Sequence, residues 1–193
     1  MAYPVTFDVE RPAKMARVHV VLRLVIVIVA SSVTGNFGGL GLVYLFFPVV
    51  AAVLISQKDG ARYLAEDGER VTRWIAFVVG VLAYIAMLTD ELPGGGRTPV
   101  RVEIQRSGTP TAGSALLRIL YAIPSALVLA LIGIASWVVW IIAAISVLIN
   151  ETYPEGLWRF QRGVVRWEAR LLGYIASLAE PYPPFSFDTG PAA

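Results

Sequence analysis

Five apolar runs limit what this chain can fold into: Val18–Thr34, Leu40–Ser56, Trp74–Leu88, Ser114–Ala130 and Ile134–Ile149. A helix of about 17 residues is roughly 26 Å long, enough for a slightly thin bilayer core. Soluble domains carry about 25% charged residues. Here 16% are charged and 56% hydrophobic, with a mean hydropathy of +0.66. The pattern reads as an integral membrane protein. It excludes a soluble globular domain, a disordered tail and a disulfide-stapled secreted scaffold. No short apolar segment ends in a small-residue cleavage motif, so the first run is expected to direct insertion itself.

The two halves resemble each other. Pro4-Val5-Thr6-Phe7-Asp8-Val9-Glu10 matches Pro99-Val100-Arg101-Val102-Glu103-Ile104-Gln105, and Leu22-Arg23-Leu24 matches Leu117-Arg118-Ile119 at the same offset. Gly38 falls on Gly133, and Arg73-Trp74 resembles Arg166-Trp167. Leu82–Asp90 then matches Leu172–Glu180. Blocks in one order predict a tandem duplication, with its boundary in the Gly- and Pro-rich linker Leu92–Pro99. The first copy covers 1–93, with spans at 18–34 and 40–56 and an interfacial or membrane helix at 71–89. The second covers 94–193, with spans at 114–130 and 134–149 and an interfacial helix at 157–179. Connections at Ser31–Gly39 and around Gly133 would close each pair of spans into a hairpin. A last short strand is expected at Phe185–Asp188.

Charge placement favours four spans over six. All 16 Lys and Arg lie in 11–23, 58–73, 97–118 and 159–170, outside both hairpin connections. With four spans every charged segment and both termini share one face, which the positive-inside rule makes cytoplasmic. In the second copy Phe160, Val164, Trp167, Leu171, Ile175 and Leu178 recur at helical spacing, with Arg159, Arg162, Arg166 and Arg170 on another face. Such an amphipathic helix suits the headgroup plane. The expected fold is therefore an α-helical integral membrane protein. It is a tandem repeat of strand, transmembrane hairpin and interfacial amphipathic helix, with a small cytoplasmic β-sheet.

The second copy carries Tyr153-Pro154-Glu155-Gly156-Leu157, then Val165-Arg166-Trp167, Arg170, Gly173-Tyr174 and Tyr182-Pro183-Pro184-Phe185. This succession resembles a bacterial membrane family catalogued as domain of unknown function 4389. The first copy departs from the pattern, lacking the Tyr-Pro-x-Gly turn and the terminal Tyr-Pro-Pro-Phe. The resemblance implies a bacterial inner membrane protein and brings no activity with it.

Candidate sites are few. With no cysteine and one histidine, thiolate chemistry and sites needing two imidazoles are excluded. The net charge of +2 does not suggest a nucleic-acid partner. Arg23 and Arg118 lie about one turn inside their spans. They are read either as sites for lipid phosphates or an anionic ligand, or as side chains that snorkel to the interface or pair with the acids Asp90 and Glu180. Arg159, Arg162, Arg166 and Arg170 form a second candidate surface for anionic lipid. Trp74, Trp158 and Trp167 are read as interfacial anchors. No catalytic set, metal site or cofactor motif stands out: Gly35, Gly38, Gly39 and Gly41 lack the strand and acid of a dinucleotide fingerprint. The expected role is a non-enzymatic membrane scaffold or accessory subunit of a larger complex, with lipid and protein partners. The alternative is a small transporter or channel with a pathway between the repeats.

Overall fold

The computed structural model describes residues 3–34, 38–94 and 99–187. Alternating apolar and polar residues build strands β1, Val5–Val9, and β2, Val100–Ile104. They pair antiparallel, Val5 with Ile104 and Val9 with Val100, so that Phe7 faces Val102 at the centre. Val5, Phe7 and Val9 turn into the core, while Thr6, Asp8, Arg101 and Glu103 are exposed on the other face. No strand forms over 185–187, and Asp188 lies outside the described residues.

Helices follow in order. They are α1, Arg17–Thr34; α2, Gly38–Lys58; a short α3, Gly60–Arg62, leading through a π-helical turn, Tyr63–Asp67, into α4, Gly68–Ile85; α5, Ala112–Asn150; and α6, Glu155–Ile175. The turn expected around Gly133 does not exist: the 114–130 and 134–149 runs are one helix of 39 residues, about 58 Å long. Thr111 starts it with a reciprocal capping box, Ser114 N–H donating to Thr111 Oγ1 at 3.1 Å and Thr111 N–H to Ser114 Oγ at 2.9 Å. Glu151 ends it in a left-handed cap at φ 58°. A glycine inside a helix costs only about 1 kcal/mol. Apolar neighbours at Ile132 and Ile134 offer nothing to satisfy the backbone groups that a bend would free.

The first half does not fold back as a hairpin either. Residues 35–37 of its expected connection lie outside the described residues. The ends of the two helices decide the matter. At the start of α1, Met15 N–H donates to Glu151 O at 2.9 Å and Arg17 Nη2 to Ile149 O at 3.2 Å, beside the C-terminus of α5. Just past the end of α2, Gly60 lies against the Pro110 carbonyl beside the N-terminus of α5. These points are separated by the length of α5. The 18 residues of α1 and the 21 of α2 therefore follow one another along α5, antiparallel to it, and match it in length.

α4 and α6 are also antiparallel. The Tyr63 hydroxyl, in the π-helical turn that leads into α4, donates to Ala176 O at 2.5 Å, just past the end of α6. Trp158, near the start of α6, donates from Nε1 to Leu88 O at 3.4 Å. α6 is the central helix, not an interfacial one. Its Trp158, Val164, Trp167, Leu171 and Ile175 are buried, and so are Arg166 and Arg170. At 100° per residue, Arg162, Arg166 and Gly173 share one face and Gln161, Glu168 and Ile175 the opposite one. The first face meets β1: Arg162 pairs with Asp8 at 2.6 Å, and a Cβ on Gly173 would come within 2.7 Å of Val5 Cγ2. On the second, Gln161 bonds Ser136 of α5. Three layers result: the sheet, the α4–α6 pair, and the long elements α1–α2 and α5.

Candidate functional site

Each half places one arginine over the end of its own middle-layer helix. α4 and α6 both stop in the same six-residue turn, with Met87 and Ser177 left-handed at φ 63° and 57°. Leu88 N–H donates to Ala83 O and Met87 N–H to Tyr84 O. Leu178 N–H donates to Gly173 O and Ser177 N–H to Tyr174 O. That is the Schellman arrangement. Arg23, completely buried, donates from Nε to Tyr84 O at 2.7 Å and from Nη2 to Thr89 O at 2.6 Å. Nη2 also forms an ion pair with Asp90 Oδ1 at 2.7 Å. Arg118 donates from Nη1 to Tyr174 O at 2.6 Å and to Ala179 O at 2.7 Å. Each guanidinium lies 4.6 Å from the ring centroid of its tyrosine, Tyr84 or Tyr174.

Chemically these are positive caps on the negative ends of two helices. Both arginines point inward. Asp90 also accepts from Ala16 N–H at 2.7 Å and so joins the start of α1 to the end of α4. Glu180 is placed differently, its carboxylate packed over Gly108, which is held at φ 87°. A side chain there would collide with Glu180 Oε2.

The α6 arginines are placed inward to different degrees. Arg159 is exposed and pairs with Glu155 one turn away. Arg162 reaches Asp8 and lies 5.5 Å from the Trp158 ring. Arg166 donates from Nε and Nη2 to Phe7 O, both at 3.2 Å, and Arg170 from Nη1 to Ser186 O at 3.3 Å. Arginine periodicity marked a helix between two environments; the polar one is the backbone of β1 and of the C-terminal segment. Trp158 and Trp167 are correspondingly buried, Trp167 meeting Phe185 and Phe187 edge to face, so neither lies at the surface as an interfacial anchor would. Trp74 is 40% exposed, with the Arg70 guanidinium 5.8 Å and the Phe46 ring 6.1 Å from its ring.

Tyr84 and Tyr174 stand at matching places in the repeat, and Tyr174 in the family pattern, but their role as platforms for Arg23 and Arg118 is seen only in the structure. Their signal was present: a tyrosine six residues before an acid in both matching blocks. Among the described residues no group of three or more His, Asp or Glu is placed to hold a metal.

The fold and its arginine caps define a mostly helical protein with a small two-stranded sheet. By length and composition, α2 over Gly41–Lys58 and α5 over Ala112–Asn150 are able to cross a membrane. Residues 113–186 match the family model described as Domain of unknown function (DUF4389). No curated protein and no solved structure matches the chain.

Proposed function

We propose that this protein is a membrane-embedded scaffold or accessory subunit of a larger membrane complex, built from two copies of one plan and contacting anionic lipids. The observation that carries it is the outer layer. Leu127, Leu131, Ile134 and Ile149 are each more than 60% exposed on α5, and α1 and α2 expose Val18 and Leu42 to the same degree. Monomeric soluble proteins rarely expose apolar patches beyond a few hundred Å².

Duplication is supported by two correspondences. The paired strands keep the register of a two-fold axis through Phe7 and Val102, which occupy the same place in their copies. The two arginine caps bond equivalent carbonyls, Tyr84 O and Thr89 O in the first half and Tyr174 O and Ala179 O in the second, through different guanidinium nitrogens. The lipid contact rests on basic residues beside the apolar layer, Arg70 over Trp74 above all, each worth about 1 kcal/mol near an anionic surface. The family resemblance supports a bacterial cell membrane as the location.

Purification from native membranes in mild detergent, followed by mass spectrometry, tests the role. A stoichiometric protein partner is expected; a lone chain contradicts the accessory reading. Exchange of Arg70, Arg73 and Arg159 for Gln is expected to weaken flotation with phosphatidylglycerol vesicles. Unchanged flotation would remove the lipid contribution of these residues.

A further inference from the structure

A helix that crosses a bilayer points its axis along the membrane normal and carries whatever is packed at its middle to mid-bilayer depth. Here α5 is about 58 Å long, roughly twice a hydrocarbon core of about 30 Å. Its central part, around Ser136, holds α6 through Gln161, and α6 in turn holds the sheet through Arg162, Arg166 and Gly173. The sheet's outer face bears exposed Asp8, Arg101 and Glu103. With α5 upright these charges and the sheet's two open edges would sit beside the middle of the bilayer, where neither is tolerated unless buried in protein.

Polar and apolar residues are instead separated by layer. The stretches 24–57 and 119–150 hold no charged residue. On α5 the buried positions Ala115, Arg118, Ala122, Ser125, Leu129, Ala143 and Val147 form one stripe facing the middle layer. Exposed Leu120, Leu127, Leu131, Ile134, Ile141 and Leu148 continue along the other side from end to end. Where the outer layer meets the middle one, Phe46 of α2 touches Trp74 of α4, and Arg70, paired with Asp67 at 2.5 Å and still half-exposed, lies over that tryptophan. A cation on an indole beside an apolar ring is the composition of a headgroup boundary.

We infer that α1–α2 and α5 lie in the plane of the membrane, their outer face sunk among the acyl chains of one leaflet and the sheet facing water. The protein crosses nothing. The pseudo-two-fold axis through Phe7 and Val102 then stands along the membrane normal. This rests on the membrane reading above and replaces its depth and topology with specific ones. Both ends of α5, marked by Arg62 two residues beyond the Gly60–Pro110 contact and by Glu155 beyond Glu151, then open to the same compartment.

The chain has no cysteine, so single probes are simple to place. Leu120→Cys, Ile134→Cys and Leu148→Cys, spin-labelled in full-length protein in phosphatidylcholine–phosphatidylglycerol vesicles, report depth through oxygen and nickel-chelate relaxation. Thr6→Cys, Arg62→Cys and Glu155→Cys report sidedness through an impermeant maleimide. Equal shallow depths at the first three, with the last three reacting from one side, are expected. Ile134 at the midplane, with Arg62 and Glu155 on opposite sides, overturns the inference in favour of a spanning helix and leaves the membrane reading standing. Labels that acquire no oxygen accessibility gradient and remain with unfloated protein overturn both. Label–label broadening between copies overturns it in favour of a face-to-face dimer.

Discussion

Arg23 shows how much one side chain can be asked to hold. Its three acceptors come from the end of α4 and the loop behind it, while its backbone belongs to α1. Removing one partner of a buried ion pair costs about 3–5 kcal/mol, because the other is left uncompensated. Arg23→Ala is expected to lower stability by about that amount in detergent unfolding, and a loss under 1 kcal/mol would contradict the cap. Met87 and Ser177 share a left-handed backbone but not a fate. Ser177 has a buried hydroxyl without a partner among the described residues. Ser177→Gly therefore relieves strain and an unmet polar group, and is expected to stabilise by about 1 kcal/mol. Met87 is fully buried; Met87→Gly is expected to destabilise by about 2–5 kcal/mol through lost packing. Glu168, on the face of α6 turned to the long helices, is a further test. Burial pushes its carboxyl up from 4.5 to about 7. The folded state thus holds this proton more tightly than the unfolded one. The stabilisation is complete below about pH 4.5 and is lost as pH rises through 7. Glu168→Gln is expected to gain stability over the parent between pH 5 and pH 8; a difference that does not change with pH would contradict the burial.

At the scale of elements, close approach decides more than propensity. A Cβ on Gly60 would stand 2.1 Å from the Pro110 carbonyl oxygen, a backbone atom that cannot swing away. Gly60→Ala is expected to cost about 1–3 kcal/mol by prising the end of α2 from the start of α5, whereas Gly133→Ala, with open space around it, is expected to stabilise α5 by up to about 1 kcal/mol. Paired unfolding curves of the two variants check this. Strands β1 and β2 were legible because alternation of period two leaves one reading, and α6 because its apolar spacing of three and four is unambiguous. Its surroundings were not legible. An arginine stripe has the same periodicity whether it meets headgroups or the carbonyls of Phe7 and Ser186. The hairpins failed for a related reason. A glycine between two apolar runs looks like a turn when a bilayer-thick span is assumed, and local sequence does not carry the distance from Ala112 to Asn150. The Arg23–Asp90 pair was among the expected alternatives, since the repeat aligned both residues. The tyrosines beneath the arginines stood in both repeat blocks, but nothing local in the sequence pairs them with arginines on a distant helix.

The whole molecule is an assembly of antiparallel pairs: strand on strand, α4 on α6, and α1–α2 on α5. Each pair relates one half of the chain to the other. This accounts for the separation of charge by layer, since the outer pair leaves its uncharged face free at the described residues of α1, α2 and α5. It depends on α5 being unbroken. Spin labels at Leu116→Cys and Leu148→Cys, both exposed, measure this directly by pulsed dipolar spectroscopy. A continuous helix separates their backbones by about 48 Å, and a distance distribution centred near that value is expected. A distribution below about 20 Å would mean that the chain folds back at Gly133, and the layered arrangement with its exposed face would fall with it.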